Sequence, residues 1–205
     1  MRDSNANRSF ASMNDYRRFC AQHYPAYFGY ARPRPAARPR MADKAFRPEQ
    51  ARIIADAFER HRVEYLFIDK GGAILLGYPG ATQDVDLFPR KSPDNGRRIV
   101  AALGEIGFAL SDADISDIVN GKDFIQLSAG PFDVDLVFAP DGIESFDDAA
   151  RKAERIENFP LMSIADIIAS KRAAGRKRDL AELELLEEFR TAYEASKRDR
   201  DTLKP

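Results

Sequence analysis

A chain of 205 residues, 44% of them hydrophobic, is long enough to bury one real core and has an ordinary globular composition. Its formal net charge of −1 excludes a whole-chain electrostatic grip on nucleic acid or membrane, so any such contact needs a local patch. One cysteine, Cys20, excludes an intrachain disulfide and favours a cytoplasmic setting, and two histidines, His23 and His61, disfavour a Cys/His zinc site.

In chain order, residues 1–46 read as a flexible Pro/Arg-rich extension. The tract Ala31-Arg-Pro-Arg-Pro-Ala-Ala-Arg-Pro-Arg40 can form neither a helix nor a paired strand. Before it, the aromatic-rich stretch 16–30 is compatible with one short docked helix. Met41 opens more ordinary globular sequence and is an alternative start. The functional reading of the extension is a basic arm on RNA phosphates. It has no apolar core of the kind a secretory signal needs, and no segment approaches 18 apolar residues, so no membrane span is expected.

Residues 47–198 read as one domain, with C-terminal helices from about 163 and a tail over 199–205. Pro48 to Arg62 is an amphipathic helix with Ile53, Ile54, Ala57 and Phe58 on its buried stripe. Val63 to Ile68 is a buried strand, Gly71 to Leu76 a short apolar helix, and Asp84 to Phe88 a second strand. Ser92-Pro93 opens a helix to about Ile106, serine as N-cap and proline in the first turn. Phe124–Ser128 and Phe132–Phe138 form a hairpin around Ala129-Gly130-Pro131. Ser163-Ile-Ala-Asp166 starts a helix to about Ala174, which Gly175 breaks, and Arg178 to Lys197 is a last helix carrying Leu180, Leu183, Leu186 and Phe189. The sum is an α+β domain: a small mixed sheet with packed helices, then a helical C-terminal part.

The most informative stretch is Thr82-Gln-Asp84-Val-Asp86-Leu87. Alternation along a strand sends Asp84 and Asp86 to one face and Val85 and Leu87 into the core. Two carboxylates on one face repel unless a cation lies between them or one takes a proton. Hard divalent ions favour such oxygen donors, together with substrate phosphates. Phe132-Asp133-Val-Asp135-Leu-Val-Phe138 repeats the pattern, and if the two strands are neighbours, Asp135 completes a metal cluster with Asp84 and Asp86. The plain alternative is a pair of edge strands with solvated acidic faces.

Two further elements suit phosphate. Lys70-Gly71-Gly72 follows an apolar strand and opens a helix, where glycines let backbone N–H groups approach an anion. The alternative is an ordinary strand-to-helix turn. Between Lys171 and Arg178, five cations flank a helix break: Lys171, Arg172, Arg176, Lys177 and Arg178. They can neutralise a triphosphate, contact RNA, or simply be solvated.

These motifs resemble the nucleotidyltransferase superfamily with the DNA polymerase β-like fold, nearest to the AbiEii/MenT-like toxin branch and its small stand-alone relatives. The resemblance runs from about Val63 to Phe189. It rests on Leu66-Phe-Ile-Asp-Lys-Gly-Gly-Ala-Ile-Leu-Leu-Gly77, Thr82-Gln-Asp-Val-Asp-Leu87, Val134-Asp135-Leu136, and Ile168-Ala-Ser-Lys171-Arg-Ala-Ala-Gly-Arg176-Lys-Arg-Asp179-Leu180. It implies transfer of a nucleoside monophosphate from a nucleoside triphosphate to an acceptor, with Mg²⁺ (or Mn²⁺) as cofactor. Asp84, Asp86 and Asp135 would hold metal, Asp135 alternatively acting as general base. Asp133 does not fall on the family's third-carboxylate position. Lys70, Gly71, Gly72, Thr82, Lys171 and Arg176 would bind nucleotide, with Lys171 at the triphosphate and Asp179 holding Lys171 or Arg176. Two departures stand out. Gly80 replaces an arginine common in relatives, and Asp69 replaces an apolar residue, so it must point away from the phosphates or pair with Lys70.

Three functions compete. The first is a metal-dependent nucleotidyltransferase with tRNA as acceptor, the toxin of a toxin–antitoxin pair with a cognate antitoxin as partner. The second is a transferase that modifies a protein or small-molecule hydroxyl. The third is a catalytically silent relative that binds nucleotide or a partner.

Overall fold

The computed structural model describes residues 46–202, with side chains through Arg198. The extension expected over 1–46 lies outside the described residues except for Phe46, whose amide donates to the Thr82 carbonyl at 2.8 Å; the last three residues of the expected tail lie outside them too. The first helix, α1 (Pro48–Arg60), starts at a proline behind Arg47, whose amide donates to the Gln50 side chain at 2.8 Å. Ala51, Ile54, Ala55, Ala57 and Phe58 are its buried face. Ile53, expected on that stripe, is 44% exposed, because one residue turns a helix by about 100° and swings it away from Ile54.

Strand β1 (Tyr65–Phe67) leads directly into α2 (Asp69–Leu76). This helix begins two residues before the expected glycine, and Asp69 enters it at a left-handed φ of 51°. Strand β2 (Val85–Pro89) follows, then α3 (Pro93–Glu105), capped as expected by the Ser92 side chain accepting from the Asn95 amide. Helix α4 (Asp112–Asn120) was not expected; Ser111 and Asp114 form a reciprocal capping box at its start. It crosses α3 so closely at Gly96 that a Cβ there would lie 2.7 Å from the Val119 Cα. Strands β3 (Phe124–Leu127) and β4 (Val134–Val137) make the expected hairpin.

Also unexpected are α5 (Phe146–Lys152), β5 (Glu154–Ile156) and β6 (Phe159–Leu161). Helix α6 (Ile164–Ala174) begins at Ser163, whose side chain accepts from the Asp166 amide, and stops at Gly175 in the left-handed region. The last helix, α7 (Lys177–Thr202), runs on past Arg198. Leu186 is its deepest residue, Leu183 and Phe189 pack on the core edge, and Leu180 is half exposed.

The architecture is therefore α+β: one small mixed sheet, helices on it, and a helical C-terminal part. The strand order is β3-β4-β2-β1-β6-β5. The central pair β1–β2 is antiparallel, and each member is flanked by a parallel neighbour, β6 beside β1 and β4 beside β2. One sheet face carries Val85, Leu87, Ile125, Leu127, Val134 and Leu136, all buried. Tyr65 and Phe67 share that face, and Tyr65 meets Phe58 of α1 edge to face at 4.8 Å. The opposite face carries Asp86 and Asp135 and is roofed in part by α6. No helix among the described residues is long and apolar enough to cross a membrane.

Candidate active site

The register of β2 and β4 brings the two acidic strands together. Val85 is the Cα partner of Val134, Asp86 of Asp135, and Leu87 of Leu136. Residues directly opposite on neighbouring strands share a face, so the two carboxylates stand side by side while the flanking Val and Leu residues anchor both strands in the core. Asp84 sits one position before β2 and Asp133 one before β4, where its carbonyl accepts from the Val85 amide at 3.2 Å.

Electrostatics make this face costly to ionise fully unless a cation lies on it or a carboxyl takes a proton. Burial, reinforced by the charges of Asp69, Asp135 and Asp84, raises the Asp86 carboxyl well above the usual carboxylate range, and Lys171 only partly opposes this. Burial together with the Asp84 charge pushes Asp135 up to about 6, against a hydrogen bond from Gln126. Asp135 is 9% exposed, and its Oδ1 is buried without a hydrogen-bond partner. A carboxylate oxygen buried in this way is an acceptor in want of a cation or a donor.

Asp86 and Asp135 form the floor of a cleft of about 280 Å³. One wall is the α6–α7 junction with Lys171, Arg176, Arg178 and Asp179; the other runs through Asp123, Phe124 and the loop at Ala139, Pro140 and Asp141. The structure thus gathers Asp86, Asp135, Lys171, Arg176 and Asp179 around one space. Asp84 contributes its charge to both floor carboxylates but is not part of the cleft wall.

Lys171 is 6% exposed and lies in a cage of carboxylates. It forms an ion pair with Asp69, and its Nζ is 3.5 Å from both Asp179 and Glu182. Burial disfavours the ammonium, but these three anions together hold its pKa above the usual value. Asp179, expected to hold Lys171 or Arg176, is beside Lys171. Asp69 pairs with Lys171 and not with Lys70, whose Nζ instead reaches Glu182 at 2.6 Å. The reason is geometric: the left-handed φ at Asp69 starts the helix early and aims the carboxylate across to α6. Glu182 was missed by sequence reasoning, although it stands three residues after Asp179 and so shares its helix face.

The glycine turn has a packing role that geometry makes explicit. Gly71 and Gly72 are buried in the first turns of α2. A Cβ on Gly72 would lie 2.9 Å from the Phe67 carbonyl oxygen, so only glycine lets α2 sit this close to β1. A Cβ on Gly71 would meet the Asp84 carbonyl at an ordinary 3.8 Å. Lys70, Gly71, Gly72 and Thr82, expected to bind nucleotide, do not line the cleft wall. A Cβ at Gly80 would fall 2.8 Å from the Tyr78 ring.

A wider cleft of about 500 Å³ lies between α1, α5 and the β5–β6 hairpin. Within it Arg90 binds Glu64 and Asp147 and stacks on Phe146, and Arg155 faces Glu59.

Metal fits the acidic cleft in a specific sense. Among the described residues, no three His, Cys, Asp or Glu side chains are gathered into a ready-made metal cage. The donor set is two adjacent carboxylates, one with an unsatisfied buried oxygen, with a third acid within electrostatic reach. That suits an ion such as Mg²⁺, which takes one or two protein carboxylates and completes its shell with water and substrate phosphate. The chain matches no family model and no curated protein sequence.

Proposed function

We propose that the protein is a metal-dependent nucleotidyltransferase that moves a nucleoside monophosphate from a nucleoside triphosphate to an acceptor. The observation that carries this reading is the in-register pairing of Asp86 with Asp135 on parallel strands, at the floor of a cleft with Lys171 and Arg176 in its wall.

In this reading Asp86 and Asp135 hold Mg²⁺ or Mn²⁺, with Asp84 as the outer third ligand. When bound, such an ion supplies Lewis-acid polarisation of the α-phosphoryl group and neutralises charge on the departing pyrophosphate. The acceptor oxygen attacks the α-phosphorus, and the bond from that phosphorus to the bridging oxygen of the β-phosphate breaks. The proton of the acceptor hydroxyl passes to solvent when Asp135 holds metal; in the alternative in which Asp86 and Asp84 hold the ion, Asp135 itself takes it as general base. Lys171 turns its ammonium from Asp69 toward the triphosphate, with Asp179 and Glu182 flanking the same ammonium. Arg176 adds a second cation on the same wall.

The acceptor favoured is a phosphate-rich RNA, tRNA being the instance to test, because Arg176 and Arg178 line the cleft and Lys177 stands between them in sequence. A toxin role with a cognate antitoxin follows from the resemblance alone. Dependence on nucleoside triphosphates sets the reaction in the cytoplasm.

The test is incubation of the full chain with Mg²⁺ and each α-labelled nucleoside triphosphate, with tRNA or lysate protein as acceptor. Label on RNA with stoichiometric pyrophosphate, lost in Asp86→Ala, is the expected outcome. Label on protein instead moves the acceptor to a protein hydroxyl. No pyrophosphate release with any triphosphate and any acceptor sinks the enzyme reading.

A further inference from the structure

One aromatic side chain in the cleft has no role in the chemistry above. Phe124 begins β3, the edge strand, and is 52% exposed although every other phenylalanine of the sheet strands is buried. Its place is fixed by register. Gln126 is the Cα partner of Asp135, and Phe124 that of Val137, so Phe124, Gln126 and Asp135 share the acidic face. Phe124 is therefore the diagonal neighbour of Asp135, about 7–8 Å away between backbones. It lines the same cleft.

The cleft then has a linear order. Across the sheet it runs from Lys171 and Asp69, through Asp86 on β2 and Asp135 on β4, to Phe124 on β3. Lys171, among its carboxylates, stands at one end, the carboxylate pair with Arg178 in electrostatic reach is in the middle, and an exposed π-face is at the other end. A nucleoside triphosphate has the matching order: terminal phosphates, α-phosphate with its metal, sugar and base. Stacking on an exposed aromatic is the usual sequence-tolerant means of holding a base.

We propose that Phe124 is the platform on which the base of the nucleotide substrate stacks. This rests on the nucleotide reading of the cleft and extends it from phosphate and metal to the base. The assignment is to the donor nucleotide, because Phe124 stands about one sugar's reach from the carboxylates that would hold its α-phosphate.

The chain contains no tryptophan, so Phe124→Trp installs a single reporter without background. Its emission is expected to be quenched, saturably, by a nucleoside triphosphate with Mg²⁺ and not by inorganic triphosphate. Removing the ring in Phe124→Ala is expected to weaken binding of the same triphosphate roughly 5- to 100-fold by calorimetry. Phe124→Leu should lose nearly as much, and Phe124→Tyr should retain it. Equal quenching by inorganic triphosphate overturns the proposal, as does unchanged affinity in Phe124→Ala. Quenching by an RNA oligonucleotide but by no mononucleotide gives Phe124 to the acceptor and also overturns it. The two readings fail separately: quenching without any transfer leaves the platform and removes the enzyme, while transfer with Phe124→Ala at full affinity leaves the enzyme and removes the platform.

Discussion

Replacing Asp135 with asparagine is expected to stabilise the protein at neutral pH when divalent cations are chelated. Asp135 is raised from 3.8 to about 6 by burial and by the Asp84 charge. A raised carboxyl means that the folded state binds the proton more tightly than the unfolded chain. Its stabilising contribution is complete below pH 3.8 and is lost as pH rises through about 6. Two pKa units correspond to roughly 3 kcal/mol, which the wild type forgoes at pH 7. Asparagine keeps the shape and carries no charge, but alters the interaction with Gln126, so a net gain of about 1–2 kcal/mol is expected. For a domain of this size that is roughly 2–8 °C in Tm. Scanning calorimetry in EDTA at pH 7 measures it, and at pH 4 the two proteins should converge. Saturating Mg²⁺ should raise the wild-type Tm and leave the variant nearly unmoved. If Asp135→Asn melts below wild type in EDTA at pH 7, the repulsion argument for this face is refuted.

Lys171→Met removes the one buried cation from among Asp69, Asp179 and Glu182. It should cost about 3–5 kcal/mol in urea unfolding, because Asp69 and Asp179 lose their buried cation while only Glu182 keeps Lys70; a loss below about 1 kcal/mol would mean the cage is solvated. Gly72→Ala should lose about 1–3 kcal/mol through overlap with the Phe67 carbonyl, whereas Gly71→Ala, with only ordinary contacts and better helix propensity, should be neutral or slightly stabilising. Equal effects of these two substitutions would remove the packing explanation for the glycine pair. Asp84→Ala and Asp86→Ala should abolish transfer while changing denaturation midpoints little, since relief of like-charge repulsion offsets lost contacts; marked unfolding of either would count against the site.

Much of the fold was legible because its signals are local. Ser92-Pro93, Ser163 with Asp166, and Gly175 each act within one helical turn, and each holds where the sequence places it. The two acidic strands were legible by alternation alone. Their adjacency was not, since nothing in either segment specifies a partner 49 positions away, and parallel pairing requires the intervening α3, α4 and β3 to cross over. Helix α4 escaped notice although Ser111-Asp-Ala-Asp114 is a capping signature and Ile115 and Ile118 have helical spacing. The same holds for Ser145 and Asp148 at α5. Strands β5 and β6, three residues each, are too short to show any period. Asp69 looked like an intruder in a phosphate turn because sequence carries no φ; its left-handed backbone is what delivers it to Lys171.

The order in which the chain emerges during synthesis gives the caged lysine another significance. Asp69, Asp84, Asp86 and Asp135 all precede Lys171, and Asp179 and Glu182 follow it. A nascent chain that has completed β4 already owns the whole acidic floor, yet lacks the ammonium that tempers it. Until α6 is made, Asp86 lacks the cation that lowers its carboxyl, so the floor is more costly to ionise in a shorter chain. Fragments that stop short of Lys171 inherit the repulsion without its remedy.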